Sequence, residues 1–319
     1  MNLPAGWDAT LNPAAVRHDF GAAAAAEVRA YLGAQRVFSQ FKAVQQLEQI
    51  GLDRASLPAF LGDVQAMERE ARHGARFVVA GPVPGLTMEE QMAAPWLICQ
   101  ALGRPLAQNE AGHRFYIIAD RGGKMERGAR YSQTNQGGSF HTDGVNVKEG
   151  YEFFLLSCVA PAAMGGESIL IDGHTVYRHL CEHASWALPA LQRERVWEYK
   201  GVRPGEYYRE PILKLAQGLP LWRYLRDYIE QAARQTNEPV DSASQEAMDC
   251  LDAALGHRAH QFRYALRAGE TAIVNDRSIF HGRTPFEDAP LAVSIERRLA
   301  EGDAAGPLGR TYSRFWVGS

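Results

Sequence analysis

One short motif sets the terms for the rest of this chain: His141-Thr142-Asp143, inside the stretch Tyr131 to Gly144. On an extended strand, residues two apart point to the same side, so one imidazole and one carboxylate can aim at a common point. That is two thirds of the 2-His-1-carboxylate set that holds Fe(II) and leaves positions open for a co-substrate and O₂. His-x-Asp alone is common on solvated strands, so the remaining parts must come from elsewhere in the chain. Far downstream, the β-prone run Gly269 to Arg283 reaches His281, followed at once by Gly282, which lets backbone approach a bound ion.

Two more stretches complete the pattern. Ala163 to Gly173 contains a Gly165-Gly166 turn and then a strand opening at Ser168. Arg310 to Val317 alternates: Arg310, Tyr312, Arg314 and Trp316 share one face, and Thr311, Ser313, Phe315 and Val317 the other. The series HTD, GGES, NDRSIFHGRTPF and RTYSRFWV, in that order, resembles the taurine-dioxygenase-like (TauD/TfdA) family of Fe(II)- and 2-oxoglutarate-dependent oxygenases, within the clavaminate synthase-like superfamily. The resemblance spans roughly residues 95 to 319. Each motif is weak alone, and their order and spacing make the set specific.

The resemblance implies an α+β fold with a mainly β core: a double-stranded β-helix, or jelly roll, with flanking helices and an N-terminal helical segment. It carries the iron ligands onto His141, Asp143 and His281, and the hydroxyl that helps hold 2-oxoglutarate onto Ser168, 25 residues after Asp143. It carries the arginine that pairs with the distal carboxylate of 2-oxoglutarate onto Arg314, with Arg310 as its neighbour. The family interval between the distal histidine and this arginine is about half of the 33 residues that separate His281 from Arg314; Arg297 and Arg298, at 16 and 17, fit it better. The strand texture around Arg314 favours that residue, with Pro285 to Gly309 read as an inserted loop. The implied reaction consumes 2-oxoglutarate and O₂, releases succinate and CO₂, and oxidises a substrate C–H bond, by default to an alcohol. Desaturation and cyclisation use the same centre. A carboxylate at Asp143 argues against halogenation, since related halogenases carry Gly or Ala there.

Composition excludes other classes. The 319 residues carry a net charge of −3, which does not suit a general nucleic-acid or acidic-membrane binder. Four cysteines without CxxC spacing suggest reduced thiols in the cytoplasm rather than a disulfide or zinc framework. The N-terminal residues show neither a basic nor an apolar signal region, and no run reaches membrane-spanning length.

Residues 1–90 read as an N-terminal helical segment packed on the core, with helices expected over Ala22 to Leu32, Val37 to Ile50 and Leu57 to Ala71. A strand at Arg76 to Ala80 follows, and Thr87 to Glu90 is a capping box. Residues 91–319 form the oxygenase domain, with 196–261 as an insert or lid. Arg121 to Lys124 reads as a solvated loop, and His174, His179 and His183 as surface-helix histidines. Tyr131, Gln133, Asn135 and Asn146 are candidates for the pocket mouth, against the alternative that they satisfy loop backbone. The expected partner is a small polar molecule such as an amino-acid derivative or biosynthetic intermediate, with neither nucleic acid nor membrane; a homo-oligomer stays open. Two other classes compete: an oxygenase acting on macromolecules, which the charge balance disfavours, and a silent jelly-roll binding module, which the retained ligands disfavour.

Overall fold

The structure is a computed structural model that describes residues 6–124, 131–138, 140–148 and 151–318. Ser139 of the motif stretch, and residues 1–5 of the N-terminal reading, lie outside the described residues. The main strands are β1 (Phe77–Ala80), β2 (Tyr116–Ala119), β3 (Tyr151–Ala160), β4 (Ser168–Asp172), β5 (Gln261–Tyr264), β6 (Thr271–Asn275), β7 (Ile279–Arg283) and β8 (Thr311–Gly318). Among the described residues they form a seven-stranded sheet and a three-stranded sheet. The large sheet runs Arg17–His18, β1, β6, β3, β8, Arg104–Pro105, with β2 also on β8. The small sheet is antiparallel, in the order β5, β4, β7.

Period-2 alternation sorts each strand between two apolar layers. Phe154, Leu170, Phe262, Val274, Ile279 and Trp316 meet between the sheets. Their neighbours Phe153, Leu155, Ile273, Phe315 and Val317 point the other way, under α1 (Ala22–Gly33), α2 (Pro58–His73) and α3 (Met88–Leu102). On the far side, Ile169, Ile171 and Phe280 pack under α4 (Gly173–His183), α5 (Arg226–Gln235) and α6 (Ser242–Gly256). The two sheets are therefore inner layers, and helices cover both outer faces.

The capping box is present: Glu90 N–H donates to Thr87 Oγ1 at 3.3 Å, and Thr87 N–H to Glu90 Oε2 at 2.9 Å. Three expectations need correction. Val37 to Ile50 is not one α-helix but two 3₁₀ segments, Arg36–Gln40 and Val44–Gln49. Its spacing does report burial, since Phe41, Val44, Leu47 and Ile50 all enter the helix-side core. Other partners take over its backbone: Gln46 Oε1 locally accepts from the amides of Lys42 and Ala43, and the Ile50 carbonyl accepts from the distant Trp96 and Gln100. Pro285 to Gly309 is not a plain loop; it holds α7 (Ile295–Glu301), whose first turn is capped by Ser294. His174 is not on the surface, being 3% exposed at the start of α4. The N-terminal segment also supplies strands, Arg17–His18 and β1, to the large sheet.

Candidate metal centre

The two histidines meet because their backbones pair. His141 N–H donates to the His281 carbonyl at 3.0 Å and His281 N–H to the His141 carbonyl at 2.8 Å, an isolated antiparallel bridge. Residues directly opposite in such a pair project to the same face, and the two ring centroids lie 4.3 Å apart. The expected strand around His141 is reduced to this single bridge, and Asp143 sits in a bend. Thr142 points away, exchanging hydrogen bonds with the backbone of Tyr224. Asp143 is held instead by its own contacts. Its amide donates to Asp276 Oδ1 at 2.7 Å, and its carboxylate accepts from Arg314 Nη1 at 2.9 and 3.2 Å and from Trp316 Nε1 at 3.0 Å. Arg314 and Trp316 are two apart on β8, which places both on its inward face.

Donor atoms of His141, Asp143 and His281 all lie within 4.8 Å of one another. The Nε2 atoms of His141 and His281 are 3.8 and 3.9 Å from Asp143 Oδ1. Burial would push the Asp143 carboxyl up, but the Arg314 guanidinium, then His281, His141 and the Trp316 indole overcome it and hold it at about 2. Burial, and then the neighbouring His141, push His281 down to about 3. At neutral pH the set is thus an ionised carboxylate with a neutral His281 imidazole, the protonation a divalent cation requires. The donor set fits a ferrous ion on this chemistry. Behind it, the buried His281 Nδ1 has no hydrogen-bond partner and faces Asp276 Oδ1 at 3.7 Å. Burial, with the nearby Asp143 charge, raises the Asp276 carboxyl well above the ordinary range.

The ligands open onto a cavity of about 390 Å³, which also receives Ser168, Arg310, Arg314, Tyr131 and Asn146. Gln133 and Asn135 do not line it; their main-chain carbonyls accept from the amides of Arg121 and Phe286. Arg297 and Arg298 are also elsewhere, on α7, where Arg297 pairs with Glu301 and Arg298 donates to the Gly306 carbonyl. Arg310, just before β8, and Arg314, within it, differ sharply. Arg314 is engaged by Asp143 and donates through Nε to Gln108 Oε1 at 2.8 Å. Arg310 is 2% exposed, stacks on the Tyr312 ring at 3.9 Å, and leaves Nε and Nη1 with no hydrogen-bond partner. The glycine turn makes room for it: Gly166 has φ +73°, and a Cβ there would come within 3.0 Å of Arg310 Nε. Gly282 serves packing too, since a Cβ there would strike the Phe140 ring at 2.8 Å.

Several residues of this site went unnoticed in the sequence. Trp316 was readable from its alternation with Arg314. Arg283, whose Nη2 gathers the carbonyls of Thr134 and Gln136 and so ties the 131–138 loop to β7, lies beside the His-Gly pair. Asp276 and Gln108 have no local signal. From the 196–261 insert, Lys200, Leu225, Asp227, Tyr228 and Gln231 reach the cavity; Lys200 Nζ donates to Gln231 Oε1 at 2.6 Å and lies 4.5 Å from the Tyr228 ring centre.

Comparison with known proteins gives a consistent neighbourhood. Residues 41–299 match the model of the taurine catabolism dioxygenase TauD, TfdA family, a span that includes His141, Asp143, Ser168 and His281 and stops before Arg310. FR-33289 synthase of Streptomyces rubellomurinus is 24% identical over 276 residues, covering 83% of this chain and 76% of the relative. A uridine-5'-phosphate dioxygenase of a Streptomyces species is 29% identical over 173 residues, 49% of this chain and 58% of the relative. Among solved structures, asparagine oxygenase superposes with a TM-score of 0.65 at 17% identity, over 95% of this chain and 93% of that one. The non-haem iron oxygenase OrfP, solved with Fe and α-ketoglutaric acid, gives 0.62 at 15% identity over 95% and 94%.

Proposed function

Because the chain belongs to the TauD, TfdA family of dioxygenases, we propose that this Fe(II)/2-oxoglutarate dioxygenase hydroxylates a small polar molecule, such as an amino-acid derivative or a biosynthetic intermediate. The observation that carries the reading is the juxtaposition, in one cavity, of the His141–Asp143–His281 donors with a buried guanidinium whose N–H groups are unpartnered. Bound iron, with 2-oxoglutarate and O₂, supplies the oxidising chemistry, and succinate and CO₂ are the by-products.

The protein's part is positioning. His141, Asp143 and His281 hold the metal. Arg310 takes the distal carboxylate of 2-oxoglutarate, because two unpaired guanidinium nitrogens complement one carboxylate. Ser168 lines the same cavity and offers its hydroxyl. Arg314, which the resemblance and its strand texture assigned to that carboxylate, here neutralises Asp143 and keeps it ionised. The insert 196–261 acts as a substrate-facing lid. Its Lys200, Asp227 and Gln231, with Asn146 from the core, present a cation, an anion and two amides at the cavity wall, the complement of a compact polar or zwitterionic molecule.

The facing sheets support a double-stranded β-helix for the core. Four free thiols, two of them buried, support a reducing cytoplasmic setting. Among the described residues no helix is long and apolar enough to cross a membrane.

The decisive experiment has two stages. Anaerobic Fe(II) plus 2-oxoglutarate should produce the weak visible charge-transfer band of a chelated co-substrate. A panel of small amines, amino acids, sulfonates and phosphonates should then contain a compound that stimulates succinate release. Absence of the band from folded protein would sink the reading.

A further inference from the structure

We propose that His179, His183, His257 and His260 form a second metal site, for a late first-row divalent cation of the zinc class, separate from the His141–Asp143–His281 centre. Four of the chain's ten histidines gather there. His179 and His183 stand one turn apart on α4, with ring centroids 4.6 Å apart. His257 and His260 lie in the turn between α6 and β5, with centroids 4.8 Å apart. His179 joins the two pairs, at 4.9 Å from His260 and 6.2 Å from His257. The rings approach nearly as closely as the His141–His281 pair at 4.3 Å, but their donor nitrogens do not yet converge as those of the triad do.

The chemistry of the cluster suits a cation. His260 Nδ1 is 2.8 Å from the Ala254 carbonyl, which can only accept, so Nδ1 carries the proton and Nε2 keeps its lone pair. A backbone carbonyl behind the distal ring nitrogen is the usual support of a metal-bound imidazole. Four imidazoles without a thiolate favour Zn²⁺, Cu²⁺ or Ni²⁺ over Mg²⁺ or Ca²⁺. Cys181, two residues from both helix histidines, lies off their common face. Glu182 adds negative charge, with Oε2 3.9 Å from His183 Nε2. Converging the nitrogens on one ion, each about 2.0–2.1 Å away, requires rings to turn; the 63% exposed His183 side chain turns at little cost. A bound ion would tie α4 to the turn that starts β5, clamping the outer layer of the small sheet.

Zinc titration of the metal-stripped full chain by calorimetry tests this. Wild type should bind two equivalents. Asp143→Ala should lose the event at the triad, and His179→Ala should lose the other while retaining the first. His183→Gln, at an exposed position that leaves folding unchallenged, should weaken the second event at least tenfold. In the Asp143→Ala protein, bound Cu²⁺ should show nitrogen hyperfine structure from at least three imidazoles. A single equivalent in wild type that Asp143→Ala abolishes overturns the site. So does a second event that survives both His179→Ala and His183→Gln, or one that appears only at millimolar zinc. None of these outcomes bears on the dioxygenase reading, which the charge-transfer band tests alone.

Discussion

Arg310, just before β8, and Arg314, within it, have opposite surroundings, so their substitutions should separate. Arg310→Met removes a charge-assisted contact to 2-oxoglutarate worth about 1.5–3 kcal/mol, and the KM for 2-oxoglutarate should rise roughly 10- to 100-fold, with iron affinity close to wild type. Arg314→Met leaves Asp143 without its nearest cation. There the acid limb of the pH profile should move to higher pH and Fe(II) affinity should fall, with a smaller effect on the KM for 2-oxoglutarate. If the two variants exchanged phenotypes, the roles would have to be exchanged as well. His281 gives a second test, on metal-free protein. Its imidazole is held at about 3, against an ordinary value of 6.5. Between those values the unfolded chain binds a proton that the folded chain refuses, so stability falls as pH drops through the window. Urea midpoints at pH 7, 5 and 4 should show that decline in wild type, and a shallower one in His281→Gln.

At the level of strands and helices, the site depends on β7 delivering His281 while its neighbour Phe280 anchors the strand from the opposite face. Phe280 is fully buried, with its ring 5.0 Å from Trp222 and 6.3 Å from Tyr224. Phe280→Ala should cost about 3–5 kcal/mol by urea denaturation, and weaken metal binding because the His141–His281 bridge loses its backing. Sequence reading worked best where one strand carried the message. The alternation of β8 showed which side chains face inward, and the Gly165-Gly166 turn before Ser168 was visible because left-handed backbone demands glycine there. It failed where partners come from afar. The residues 37–50 carry a helical burial pattern, yet the distant Trp96 and Gln100 capture the Ile50 carbonyl, and no local propensity encodes that. Asp276 accepts from the Asp143 amide and faces His281, a placement that depends on the tertiary path. That Asp143 occupies Arg314 and leaves Arg310 unengaged likewise depends on the tertiary path.

Across the whole molecule, the cavity is assembled from separate layers. β8 brings Arg314 from the large sheet, with Arg310 just ahead of it, β4 and β7 bring Ser168 and His281 from the small one, and residues between 200 and 231 complete the wall. A ligand that touches all of these binds the folded state and not the unfolded chain, so it should stabilise the assembly by mass action. At a hundredfold excess over Kd the gain is about 2.7 kcal/mol, or an upward shift in Tm of roughly 5 °C for a chain of this size. Anaerobic Fe(II) and 2-oxoglutarate together should therefore raise Tm more than Fe(II) alone. Arg310→Met should retain the iron increment and lose most of the 2-oxoglutarate increment, and Asp143→Ala should lose both. Lys200→Met, which alters only the lid wall, should keep both increments and reveal its defect when the true substrate is added, as a raised KM. If Lys200→Met abolished the 2-oxoglutarate increment, the co-substrate would have to lie against the insert, and the division of the cavity between β8 and the lid would be wrong.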